Sequence, residues 1–132
     1  MAIAYYTGFT DNIVFYNGAL NVFYNQLYSC LTNAFTTDLV TKNVIFDGAI
    51  ALELQGTKQS KINYVAMLIT SEEMYRFLSA TIYSLDVSRV EKTPEFLQLH
   101  VHGMIIRISL SYRSIPTTDI NGLTVRYIND IK

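Results

Sequence analysis

The sequence has little charge, a single cysteine, two prolines and no tryptophan. Only 16% of its 132 residues are charged, whereas a typical soluble domain has about a quarter. The 10 basic and 11 acidic side chains nearly cancel, and this balance disfavours sequence-independent binding to DNA. Cys30 stands alone, which excludes a disulfide within the chain.

Common catalytic motifs, a secretory signal and a membrane-spanning segment are absent from the sequence as well. The chain contains no G-x-x-x-x-G-K-[ST], G-x-G-x-x-G, G-x-S-x-G or H-E-x-x-H motif. Its start, MAIAYYTGFTDN, lacks the basic flank and apolar core of a secretory signal. The charge-free interval over 12–37 is interrupted by amides, which argues against a membrane span. We therefore expect the protein to act where it is made.

Aromatic residues are what the chain has in excess, with ten tyrosines and seven phenylalanines. The length suits a single domain over 1–132, and some of these rings have to reach its surface. Exposed tyrosine gives a large contact area with a polar tip, which is typical of protein interfaces. The codon bias of an A+T-rich genome explains the same excess, so both explanations stay open.

Hydrophobic periodicity predicts a helix, three strands, a second helix and then two or three strands. Apolar spacings of three and four residues predict the first helix over about 19–35, and Ser71 is a suitable N-cap for the second over 72–85. Asp47-Gly48 between NVIF and AIALELQ predicts a hairpin turn. INYVAMLIT predicts a central strand, and LTVRYI a final one.

At Gly103 the alternating apolar pattern shifts by one residue. The shift indicates either a β-bulge within one long strand or a tight turn between two strands. The fold class we predict is therefore α+β, with a mostly antiparallel sheet of five to six strands and two helices packed on it.

The helix predicted over 19–35 has no charge on the side opposite its apolar positions. Amphipathic helices on monomers usually present Lys and Glu to water. Amides and hydroxyls can instead be buried against protein without the cost of an unpaired ion. We therefore predict a subunit interface on this helix, although solvation by its amides is the alternative. The predicted interface consists of Asn21, Tyr24, Asn25, Tyr28, Ser29 and Thr32.

Arginines and histidines in the last third of the chain are the remaining candidates for binding a partner or a metal ion. Arg107 and Arg113 share one parity of a predicted strand, and Arg126 lies on the last strand. They are possible contacts to DNA or an acidic partner, with a solvated face as the alternative. His100 and His102 project from one side of a strand and could meet one metal ion. No third ligand has a matching spacing, so we predict no metal site, no cofactor and no catalytic residue.

The predicted element order resembles that of the tail-terminator and neck proteins of tailed bacteriophages, which form rings at the joint between head and tail. The segments that carry the likeness are NVFYNQLYSCLTNAF, NVIFDGAIALELQ, INYVAMLIT with SEEMYRFLSATIYSL, and FLQLHVHGMIIRISLSY. The resemblance implies a non-enzymatic virion subunit assembled in the host cytoplasm. Its expected partners are copies of itself and other virion proteins, without a membrane or a small-molecule substrate.

Two alternative functions remain from the sequence. One is a small protein-binding module, such as an inhibitor of a host enzyme or a secretion-type chaperone, which predicts a monomer or dimer rather than a ring. The other is a small metalloenzyme that uses His100 and His102.

Overall fold

The computed structural model describes residues 4–6, 13–15, 18–56, 64–85, 87–101, 103–120 and 122–131. Within these ranges, no helix has the length and apolar character needed to cross a membrane. The strands are β1 (Ala4–Tyr6), β2 (Ile13–Phe15), β3 (Val44–Asp47), β4 (Tyr64–Ile69), β5 (Arg89–Lys92), β6 (Phe96–Val101), β7 (Met104–Leu110), β8 (Thr117–Ile120) and β9 (Leu123–Arg126). The α-helices are α1 (Gly18–Thr32), α2 (Thr37–Asn43), α3 (Gly48–Leu54) and α4 (Glu72–Thr81), and short 3-10 turns follow at Ile82–Ser84 and Ile128–Asp130.

Seven of the strands form one mixed sheet in the order β5-β6-β7-β4-β3-β9-β8. Strand β4 is antiparallel to β3 but parallel to β7, and β3 is parallel to β9. Parallel neighbours need a long crossover, and α4 with the β5–β6 hairpin provides the one between β4 and β7. Strands β1 and β2 pair with each other in a separate ribbon.

The pleat of the strands gives the large sheet two different faces. Alternate residues of β4, β6, β7 and β9 are buried in one core cluster with apolar side chains of all four α-helices, including Leu27, Val40, Ile50 and Leu78. We call this side the helix face. The residues between them point to the opposite side, which we call the second face. On β4, β6 and β7 the side chains of the second face are half-buried or exposed.

The predicted fold class, α+β with a mostly antiparallel sheet of five to six strands and two helices, is wrong. The large sheet has seven strands with two parallel pairings, and four α-helices lie along the described chain. The missed elements are short: β5 and β8 have 4 residues each, and α2 and α3 have 7 each. Elements of this length contain too few turns or alternations to produce a clear periodic signal.

The predicted hairpin at Asp47-Gly48 is also wrong. Asp47 is the N-cap of α3, where its Oδ1 accepts a hydrogen bond from the Gly48 amide at 2.7 Å. The segment AIALEL continues as a helix that buries Ile50 and Ala51 in the core. Alanine, leucine and glutamate favour helix, and this preference with the cap outweighs the turn signal. Strand β3 pairs with β4 instead.

Other predicted elements are confirmed. The first helix forms over Gly18–Thr32, and the second begins at Glu72 with the hydroxyl of Ser71 accepting a hydrogen bond from the Met74 amide at 3.2 Å. The shift at Gly103 is a turn between two strands, because Val101 pairs with Met104 across the antiparallel β6–β7 hairpin. Gly103 has a φ of 81°, a left-handed conformation that glycine adopts without steric cost.

Candidate functional site

A row of mostly polar side chains crosses the second face, with one residue from each neighbouring strand. The register pairs Glu91 with Gln98, Gln98 with Arg107, and Arg107 with Ala66. The row continues to Asp47, which pairs with Ala66. Arg126 comes next, because Phe46 pairs with Val125 in the parallel β3–β9 pair and the following residues of the two strands are Asp47 and Arg126. We call Glu91, Gln98, Arg107, Asp47 and Arg126 the polar row.

Strand alternation explains why the polar row faces away from the core. Ile106 and Ile108 flank Arg107 and are fully buried on the helix face, and Leu97 and Leu99 flank Gln98 in the same way. Because successive strand residues point to opposite sides, burying these neighbours directs both polar side chains to the second face.

Arg107 is held by an amide and an aromatic ring. Its Nε and Nη2 donate to Oε1 of Gln98 at 3.2 and 3.0 Å, and its guanidinium carbon lies 4.0 Å from the centroid of the Phe96 ring. Gln98 is oriented in turn, since its Nε2 donates to Oε2 of Glu91 at 3.0 Å. Among the ion pairs of the described residues none involves Arg107. Its positive charge is therefore not neutralised by a neighbouring carboxylate there.

Arg126 lies at the opposite end of the row and has two carboxylate partners. Its Nη1 donates to Oδ2 of Asp47 at 3.0 Å, and its Nε donates to Oδ2 of Asp130 at 2.7 Å. The hydrogen bond to Asp130 is the largest influence on the pKa of Arg126 and raises it, with Asp47 acting in the same direction and burial opposing them. The three side chains together carry a net charge of about −1 at neutral pH.

The backbone beside Arg126 is held by Gln55, the residue that follows α3. Gln55 Nε2 donates to the carbonyl oxygen of Arg126 at 2.7 Å, and Gln55 Oε1 accepts from the Ile128 amide at 2.9 Å. The same Nε2 contacts the carbonyl oxygen of Ala51 at 3.0 Å. Arg126 and Gln55 thus link β9 and the final 3-10 turn to α3, which is a structural role.

The centre of the row is small and apolar. Ala66 carries only a methyl group, and a Cβ added to Gly48 would lie 3.5 Å from it, so the start of α3 borders this position. Tyr64 lies two residues before Ala66 on the same face of β4 and is 43% exposed. Strands are about 4.8 Å apart, which places the Cα atoms of Arg107 and Asp47 about 10 Å from each other. The guanidinium of Arg107, the phenol ring of Tyr64 and the start of α3 thus lie around Ala66 on the second face.

The acidic residues described on the second face do not come together as a metal site. Mg²⁺ is commonly held by one or two carboxylates together with substrate phosphates. Asp47 pairs with Ala66 across β3 and β4, but its two carboxylate oxygens accept hydrogen bonds from Gly48 and Arg126. Over the described ranges, no group of three or more His, Cys, Asp or Glu is placed to hold a metal ion. The geometry fits an anion bound by Arg107 better than a cation.

The predicted histidine pair cannot be placed as a pair, because His102 lies outside the described residues. His100 is half-buried on the second face of β6, opposite Ile105.

Two of the three arginines singled out from the sequence do share a face. Arg107 and Arg126 both belong to the polar row, whereas Arg113 is exposed beyond the end of β7, where its amide contacts Oγ of Ser111 at 3.4 Å. The sequence reasoning missed Gln98 and Asp47. Gln98 had a signal, since it alternates with buried leucines. Asp47 had none, because its aspartate-glycine pair predicted a turn.

The residues of the predicted subunit interface have mixed positions. Tyr24 is only 6% exposed and lies 5.3 Å from Phe46, measured between ring centroids. Ser29 is exposed, Asn25 and Tyr28 are half-buried, and the half-buried Thr32 donates its hydroxyl to the carbonyl oxygen of Tyr28 at 2.9 Å. The side chain of Asn21 lies outside the described part of the chain. The interface itself stays a prediction.

A cleft lies beside α4, which packs on the helix face, whereas the polar row lies on the second face. The cleft has a volume of about 390 Å³ and includes Arg76, Lys92 and Tyr112. Its cations already have partners in the chain, because Arg76 pairs with Glu72 and Lys92 Nζ donates to the carbonyl oxygen of Ser79 at 2.7 Å. Arg107 therefore differs from the arginine of this cleft in having no carboxylate partner among the described residues.

No protein-family model and no curated protein matches the chain. Solved structures give two similar chains, each described as a "putative nucleotidyltransferase". The one from H. pylori has a TM-score of 0.47 and 13% identity over 86% of this chain and 55% of its own. The one from Thermotoga maritima has a TM-score of 0.39 and 18% identity over 80% of this chain and 63% of its own. This chain thus spans less than two thirds of either structure.

The predicted role as a non-enzymatic subunit of a phage neck or tail is corrected. The element order behind the resemblance is not the observed one, because AIALEL forms α3 instead of the second strand of a hairpin. The printed descriptions of the two similar structures name a nucleotidyltransferase and not a virion, tail or neck protein.

Proposed function

We propose that this chain binds a nucleotide on the second face of its sheet, with a phosphate group at Arg107. The observation that carries the proposal concerns Arg107, a half-buried residue whose guanidinium is held by Gln98 and Phe96 and pairs with no carboxylate of the described residues. A partly desolvated charge is costly when it has no counter-ion. An anionic ligand group would supply that counter-ion.

The orientation of Arg107 suits a phosphate. Arginine offers five N–H donors in a rigid plane, and Gln98 uses one on Nε and one on Nη2. Both donors of Nη1 and the second donor of Nη2 remain for a ligand. Phosphate oxygens match this planar arrangement, and hydrogen bonds between ions of opposite charge are stronger than neutral ones. The ring of Phe96 fixes the plane of the guanidinium before a ligand arrives.

The exposed ring of Tyr64 suits a nucleotide base. Tyr64 lies about 7 Å along β4 from Ala66, the residue that pairs with Arg107. Base stacking on an aromatic side chain contributes about 1–3 kcal/mol per base. A ligand with its phosphate at Arg107 and its base at Tyr64 has the dimensions of a nucleotide. This ligand class also agrees with the word nucleotidyltransferase in the description of the two similar structures.

Isothermal titration calorimetry of the full chain with AMP tests the proposal. We expect Arg107→Met to weaken binding by about 10- to 100-fold, because hydrogen bonds to a charged group contribute about 1.5–3 kcal/mol. Tyr64→Ala should weaken it less, and Tyr64→Phe should retain it, because stacking needs the ring and not the hydroxyl. Methionine at 107 keeps an apolar chain over Phe96, so folding should be preserved.

Arg76→Met is the matched control, because Arg76 is an exposed arginine on α4 and far from the second face. Its binding should equal that of the unaltered chain. Absence of AMP binding at millimolar concentration, or equal loss in the two arginine variants, would refute the proposal. The same titration tests the expectation that the chain takes no small-molecule substrate.

A further inference from the structure

The charges around Arg107 are arranged with a carboxylate on each side. Across the sheet, Glu91 lies two strands away in one direction and Asp47 two strands away in the other. Each Cα is therefore about 10 Å from that of Arg107. Glu91 is exposed with Arg89 3.7 Å away, and Asp47 belongs to the group with Arg126 and Asp130.

From this arrangement we infer that the second face selects nucleotides with one phosphate group over nucleoside di- and triphosphates. The inference rests on the proposed function and adds the number of phosphate groups that the site accepts. Arg107 is one positive charge and matches one phosphate. A second or third phosphate that extends across the row approaches the net-negative group of Asp47, Arg126 and Asp130 on one side. On the other side it approaches Glu91, whose carboxylate is partly compensated by Arg89 at 3.7 Å. We therefore expect most of the repulsion from the side of Asp47.

Arg126 does not relieve this repulsion. Its two nearest acceptors are the oxygens of Asp47 and Asp130, so the group has a net negative charge in spite of the guanidinium. A phosphate chain would have to displace one of these carboxylates to reach Arg126. Exposed charges about 10 Å apart are largely screened at physiological salt, where the screening length is about 8 Å, so the repulsion acts mainly at low ionic strength, where the screening length reaches about 30 Å.

Titration of the full chain with AMP, ADP and ATP in the absence of metal ions tests the inference. We expect affinity to fall in that order, with AMP binding about 5-fold or more tightly than ATP at low ionic strength. Raising the salt concentration to about 0.5 M should reduce the difference, because screening weakens the repulsion more than the stacking.

Two variants identify the source of the selectivity. Glu91→Gln removes one carboxylate charge and keeps an acceptor for Gln98, and Asp130→Asn removes one charge from the group around Arg126. Asp130→Asn should reduce the AMP-to-ATP affinity ratio by about 2-fold or more, mainly through tighter ATP binding. Glu91→Gln should reduce this ratio less, because Arg89 already compensates part of that carboxylate's charge. Glu73→Gln is the control, because Glu73 is an exposed acid in the first turn of α4, away from this face; it should leave the preference unchanged.

The outcomes separate this inference from the proposed function. Equal or tighter binding of ATP, with loss of binding in Arg107→Met, would overturn the selectivity and leave nucleotide binding intact. An AMP preference that survives in both neutralising variants would also overturn it, because the carboxylates would then not be the cause. Failure of all three nucleotides to bind would overturn both proposals.

Discussion

Arg107 and Arg126 lie on the same face of one sheet, three strands and about 14 Å apart, and have opposite surroundings. Arg126 donates to two carboxylates, and its backbone oxygen accepts from Gln55. Arg107 has an amide and an aromatic ring as its partners. The two side chains are chemically identical. The charge of Arg126 is compensated by carboxylates of the chain, whereas no carboxylate of the described residues compensates that of Arg107.

This difference separates a structural arginine from one available for binding. The carboxylates around Arg126 compensate its charge inside the chain, and removing it would leave two acids near each other. Removing Arg107 would leave only an amide oxygen and a ring, both of which tolerate the loss of a cation. Stability should therefore depend on Arg126, and ligand binding on Arg107.

The largest expected effect is on Arg126. We predict that Arg126→Met lowers the free energy of unfolding by about 2–3 kcal/mol, less than for a fully buried ion pair, because the side chain is 20% exposed. Urea denaturation followed by far-UV circular dichroism measures this change. A loss below about 1 kcal/mol would show that the two carboxylates do not need the guanidinium.

The next effect concerns the amide that holds the backbone beside Arg126. Gln55→Ala should cost about 1–2 kcal/mol, because the Ile128 amide loses its hydrogen-bond acceptor and the Arg126 carbonyl loses a donor. Denaturation under the same conditions checks it. Asn129→Ala is the control, since Asn129 is an exposed residue of the same 3-10 turn and should have no effect.

For Arg107 we predict a small change in stability. Arg107→Met should alter the free energy of unfolding by less than about 1 kcal/mol, because a partly exposed cation–π contact contributes about that much and methionine retains contact with Phe96. Denaturation of this variant beside Arg126→Met compares the two arginines directly. A loss as large as that of Arg126→Met would mean that Arg107 is a structural residue too.

The smallest effect is expected at Glu91. Its ion pair with Arg89 spans 3.7 Å, and both side chains are largely exposed. Glu91→Gln should change the free energy of unfolding by less than about 0.5 kcal/mol, since glutamine still accepts the hydrogen bond from Gln98. Thermal denaturation measures it. A clear destabilisation would indicate that the orientation of the Gln98 amide, which lies between Glu91 and Arg107, depends on the charge of the Glu91 carboxylate.

Part of the fold follows from local pattern. The helices α1 and α4 and the strands β4, β6, β7 and β9 correspond to predicted elements because their apolar residues repeat with a clear period. The elements α2, α3, β5 and β8 are too short for such a signal. At α3 the local turn signal of Asp47-Gly48 competed with capping and helix propensity, and it predicted the wrong element.

The candidate site was partly predictable for the same reason. The amino-acid sequence by itself determined that Arg107 lies between two isoleucines and that Arg126 follows the apolar Val125, a pattern that directs both arginines away from the core. Alternation is a local property, so it can be counted along the chain. It says nothing about which strands become neighbours.

Only the tertiary structure decided what surrounds each arginine. The antiparallel pairing of β6 and β7 places Gln98 and Phe96 against Arg107, and the parallel pairing of β3 and β9 brings Asp47 to Arg126. These contacts depend on strand order and register across long separations in sequence. The long-range pairing of strands therefore sets the electrostatic environment of each arginine. It compensates the charge of Arg126 with carboxylates and leaves the charge of Arg107 without one among the described residues.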